Sequence, residues 1–116
     1  MSIISDHRFI RGVHLFNTGE YLEASDCFED LFFEAVRDEP DFIRVFLQFS
    51  VGIHHVERGQ RRPAIERINE GLMLIEAITD DRGIDLEMLG VQMETTIAQI
   101  EARVSGILWP RISGKR

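Results

Sequence analysis

One pattern occurs twice and constrains this chain more than anything else. Gly19 is followed by Ala24 and Phe28, and Gly59 is followed at the same spacing by Ala64 and Ile68. A glycine lets the backbone reverse just before a helix begins. An alanine on the helix that follows lets a second helix approach closely. Two helical hairpins packed side by side require both. The two glycines lie 40 residues apart and the pattern has two copies. Tetratricopeptide repeats recur every ~34 residues, and solenoids need about three copies or more. The pattern therefore predicts an all-α compact bundle: two tetratricopeptide-like helical hairpins plus a closing helix, about five helices in all. The length of 116 residues suits one domain with a sizeable core. With 44% hydrophobic and 28% charged residues, the composition is that of a folded chain, not a disordered one.

Apolar spacing places the helices. The first spans residues 6–17, with Ser5 as N-cap and Phe9, Val13 and Phe16 facing inward. The second spans 20–37, with Tyr21, Ala24, Phe28, Leu31 and Ala35 in one stripe. The third spans 40–58 and is apolar on nearly every side, which marks a central helix surrounded by others. The fourth begins at Pro63 and runs to 79, and the fifth is capped by Asp85. No strand pattern is present. Residues 1–108 read as one bundle domain, and 109–116 as an irregular basic tail, frayed from Ile112 onward.

Several function classes are disfavoured. The net charge of −7 and pI near 5.0 oppose a nucleic-acid partner, which needs a basic face. Arg58, Arg61 and Arg62 read as a solvated turn. The first residues carry no basic region before an apolar stretch, and the most apolar segment, 41–56, is interrupted by Arg44, Gln48 and His54-His55. Neither a signal peptide nor a membrane span is expected, so the location is read as cytoplasmic. Cys27 has no partner for an internal disulfide and reads as a small hydrophobe. Neither a glycine-rich phosphate loop nor a nucleophile elbow occurs.

Polar residues on the apolar third helix need partners. Arg44, Gln48 and His55 share one stripe. The second helix offers Ser25, Asp26 and Glu29 within one turn of each other. The expected cluster is Ser25, Asp26, Glu29, Gln48 and His55, gathered between the second and third helices. It has two readings. One is a buried polar network that fixes helix register. The other is a divalent-metal site or a general acid–base pair, since carboxylates and imidazole suit zinc, manganese or iron. No cofactor is required by the pattern.

Three blocks resemble the family catalogued as domain of unknown function 309. They are the run from Phe16 to Ala24 with Glu29, then Leu47-Gln48 with the run from His54 to Gln60, then Gly83-Ile84-Asp85-Leu86. Ala64 and Gly71 stand where that family has small residues. The resemblance covers residues 8–100 and implies a prokaryotic all-helical bundle with no established activity. The family places His-Glu directly after the alanine and another acid three residues on. This chain has Ser25-Asp26 there and keeps Glu29, which weakens any transferred site. The expected role is protein interaction or scaffolding, with a protein partner or a homo-oligomer favoured by Phe32, Phe33, Phe42 and Trp109. The alternative is a metal-binding or hydrolase-like enzyme acting through the polar cluster.

Overall fold

The structure, a computed structural model, describes residues 3–34 and 40–115. After a 3-10 turn at Ile3–Ser5, the helices are α1 (His7–Asn17), α2 (Tyr21–Glu34), α3 (Pro40–Glu57), α4 (Arg61–Ala77) and α5 (Leu86–Glu101). Each helix packs on the next in sequence, and the described residues contain no strand, only an isolated bridge between Ile84 and Gly114. The chain is an all-α bundle with α3 at its centre. The expected end of the second helix, at Arg37, lies outside the described residues.

The repeat reappears as geometry. At the end of α1, the N–H of Glu20 donates to Leu15 O (2.8 Å) and that of Gly19 to Phe16 O (3.1 Å). At the end of α3, Gln60 donates to His55 O (2.9 Å) and Gly59 to Val56 O (2.9 Å). These are two copies of one helix-ending turn, each with a left-handed residue at its pivot, Gly19 at φ 85° and Gly59 at φ 73°. Ala24 and Ala64 are fully buried. The closest approach lies between α3 and α4, where a Cβ added to Gly52 would meet Ile68 Cγ1 at 2.8 Å and Ala64 O at 3.2 Å. A third turn of the same kind ends α5: Val104 donates to Gln99 O and Arg103 to Ile100 O, both at 3.1 Å. Its pivot is Arg103 at φ 57°, a conformation that strains any side chain with a Cβ.

Aromatic rings fill the side of α3 that faces the first hairpin. Phe9 meets Phe28, Phe42 and Phe46 with ring centroids 6.1, 5.9 and 5.4 Å apart. Phe42 is thus a core residue and contributes nothing to an outer surface, whereas Phe33 is 68% exposed.

Helix starts differ from expectation at two points. Asp6, not Ser5, caps α1: its Oδ1 accepts from the N–H of Arg8 at 2.9 Å. The Arg8 guanidinium also binds that carboxylate, holding it down at a pKa of about 2. α4 starts at Arg61, two residues before Pro63, because proline is tolerated throughout the first turn, where no N–H has an intrahelical partner.

The tail is irregular but pinned, not frayed. Asn17 Nδ2 donates to Ile112 O and the Ile112 N–H donates to Asn17 Oδ1, both at 2.8 Å. Ile112 and Pro110 are buried. Asp85 N–H donates to Ser113 O (2.8 Å), Lys115 N–H to Gly83 O (2.7 Å), and the Lys115 ammonium pairs with Asp81. Apolar burial of Ile112 and two-way hydrogen bonding by one asparagine outweigh the basic composition on which the expectation of fraying rested.

Candidate functional site

The polar stripe of α3 exists, but it faces α4. Arg44 NH2 donates to Glu70 Oε1 (3.1 Å), and Gln48 Oε1 accepts from Arg67 NH1 (3.1 Å). His55 Nδ1 lies 2.7 Å from Gln60 Oε1, in the turn between α3 and α4. Buried Ser25 turns back onto its own helix, its Oγ donating to Leu22 O at 2.6 Å. Asp26 and Glu29 point to solvent. The five residues expected to gather therefore divide, with Gln48 and His55 on the α4 side of α3 and Ser25, Asp26 and Glu29 on α2. The cause is packing: Phe46 takes the α3 surface against Phe28, at a ring distance of 5.6 Å, which leaves no room there for a polar cluster. Among the described residues no group of three or more histidine, cysteine or acidic side chains is placed to hold a metal ion. Among them, too, no helix is long and apolar enough to cross a membrane.

The structure draws attention to other residues, gathered where the repeated turns meet the ends of later helices. The turn between α1 and α2 lies against the end of α3, forming a groove of about 350 Å³ lined by Glu20, Leu22, Glu23, His54 and Glu57. Its charge is acidic, and the one histidine, His54, is 3.6 Å from Glu57 Oε1. Behind it, burial and the nearby Glu57 carboxylate push the Tyr21 phenol up to about 12.

The turn between α3 and α4 lies in the equivalent way against the end of α5. Here the groove is about 450 Å³, with Ile65 and Ile100 beneath Arg61, Arg62 and Arg103. Glu66 and Glu101 also line it, and Glu66 is 3.6 Å from Arg62 Nε. Neither Arg61 nor Arg103 is ion-paired among the described residues. A smaller recess of about 220 Å³ continues it toward Gln99, whose Oε1 is buried without a hydrogen-bond partner. Both grooves are open to solvent.

Sequence reasoning kept Arg58, Arg61 and Arg62 as a solvated turn and gave Glu20, Glu23 and Arg103 no role. The signal was present in the repeat itself. Equivalent positions after Gly19 and Gly59 read Glu20-Tyr21-Leu22-Glu23 in one copy and Gln60-Arg61-Arg62-Pro63 in the other, so equivalent surfaces carry opposite charge.

Comparison with known proteins adds a family but no activity. No curated protein and no solved structure matches the chain. A family model, described as domain of unknown function (DUF309), matches residues 9–66, which takes in both repeated turns, α2 and α3 and stops short of the Gly83–Leu86 block. That match spans half of the 116 residues, and the chain belongs to the domain of unknown function 309 family.

Proposed function

We propose that the chain is a protein-interaction module that engages its partner along the edge formed by the two repeated turns and the ends of α3 and α5. The observation that supports this reading is the pair of open grooves of opposite charge lying next to each other on that edge. Small-molecule sites enclose most of their ligand, whereas shallow mixed surfaces with apolar floors and charged rims suit a protein partner. The reading is of a cytoplasmic protein, since a single unpaired cysteine, Cys27, calls for no oxidising compartment. A metal-binding or hydrolase-like role through Ser25, Asp26, Glu29, Gln48 and His55 requires residues on separate faces to meet, and no observation favours it.

The test is affinity capture with the intact chain, with Arg61→Glu/Arg62→Glu, and with Glu76→Lys as a control away from the edge. A captured protein is then purified and its affinity for each chain measured by calorimetry. The edge variant is expected to bind at least about tenfold more weakly and the control to match the parent. Equal affinity for all three chains, or neither a captured protein nor self-association of the chain, removes the reading.

A further inference from the structure

The two grooves carry an inference about what covers them. The helices run antiparallel to their neighbours in sequence, and each groove forms where a turn meets the end of the helix beyond the hairpin. The acidic and basic halves are therefore neighbours on one edge, joined through the end of α3, where exposed Glu57 and Arg58 are adjacent. A surface acidic in one half and basic in the other is complementary to itself after a half-turn rotation. Closed two-fold dimers use one patch twice in just this way, residue i facing residue j and j facing i.

We propose that this edge is the interface of a two-fold dimer of the chain, with Glu20, Glu23 and Glu57 of one copy facing Arg61, Arg62 and Arg103 of the other. The inference rests on the interaction reading above and names a second copy as the occupant. Charge complementarity argues for it: after the half-turn the acidic groove of one copy meets the basic groove of the other. The apolar part is supplied by Leu22, Val104 and Leu108, which are 47%, 45% and 79% exposed, and by the floor of Ile65 and Ile100. One feature of the basic groove fits a carboxylate arriving from outside: Arg61 and Arg103 have no ion partner among the described residues. The strained backbone of Arg103 also holds its side chain at this edge, where the two earlier turns have glycine.

Sedimentation equilibrium of the purified chain tests the proposal. The parent is expected to dimerise at about 0.05 M salt and to weaken by about 0.5 M, as partly exposed charge pairs are screened. Glu23→Arg/Glu57→Arg turns the acidic half basic at every acid but Glu20, and Arg61→Glu/Arg62→Glu turns the basic half acidic at every arginine but Arg103. Each alone is expected to self-associate at least about tenfold more weakly. Mixed in equal amounts, the two are expected to form a one-to-one dimer, because each supplies the charge the other lacks. Circular dichroism checks that both variants remain helical. A parent that stays monomeric at low salt overturns the proposal. So does a dimer indifferent to both reversals, or a mixture no tighter than its components. A monomeric parent whose partner binding is still lost in Arg61→Glu/Arg62→Glu removes the dimer alone and leaves the interaction reading standing.

Discussion

One added methyl group distinguishes the glycines of this chain. At Gly52 a Cβ would lie 3.2 Å from a backbone oxygen of α4, which cannot yield as a flexible side chain does. Gly52→Ala is expected to destabilise the fold by about 1–3 kcal/mol through forced separation of the two helices. At Gly90 the nearest atoms, Ile75 Cδ1 and Leu72 Cδ2, are both 3.8 Å away. Gly90→Ala is expected to stabilise α5 by up to about 1 kcal/mol, because alanine has less backbone freedom to lose. Urea unfolding of the two variants measures both signs. Asp6 gives a second residue-level test. Its pKa is lowered from 3.8 to about 2, first by the side-chain hydrogen bond from Arg8, so the folded state binds its proton less tightly than the unfolded chain. The stabilisation is complete above the ordinary carboxylate range and disappears as pH falls toward about 2. Asp6→Asn keeps the cap but removes the charge, and is expected to remove about 1 kcal/mol of that acid dependence, allowing for solvent screening of a partly exposed pair. Chemical denaturation at a series of pH values reads it directly.

Elements were legible wherever their evidence was local. The stripes of α1 to α5 follow from apolar spacing, and the two turns follow from Gly19 and Gly59 with the alanines behind them. What the spacing does not encode is which neighbour a stripe faces. Arg44 and Gln48 were rightly grouped, yet their partners Glu70 and Arg67 come from α4, because Gly52 and Ala64 bring that helix close while phenylalanines occupy the opposite side. The tail was illegible for a related reason. Its anchor is Asn17, 95 residues before Ile112, and nothing in the composition of 109–116 announces so distant a receptor. Asn17→Ala strips both backbone groups of Ile112 of their partners, with an expected loss of about 1–3 kcal/mol. Trp109, held 6.0 Å from the Tyr21 ring, reports the event, and its emission is expected to shift to the red. An unchanged spectrum and unchanged stability would mean that the tail is held elsewhere.

In the molecule as a whole, nearest-neighbour packing along the chain is joined by longer connections. The phenylalanine cluster ties α1, α2 and α3 into one unit, and residues 109–115 link α1 to the start and middle of α5. Helix content at 222 nm and Trp109 fluorescence are therefore expected to report the same unfolding midpoint in urea. An earlier Trp109 transition would show that the tail releases before the helices unfold.

The bonds between Asn17 and Ile112 also bear on rates. Contacts 95 residues apart in sequence close a long loop, and the entropy of closing it is expected to be lost only after the helices have assembled. Such contacts are expected to form on the native side of the folding barrier, which chevron kinetics of Asn17→Ala test. Weakening them leaves the refolding limb of a chevron nearly unmoved and raises the unfolding limb by almost the whole change in stability. The tail acts as a latch on escape from the native state: it contributes little to how fast the helices come together and much to how long they stay together.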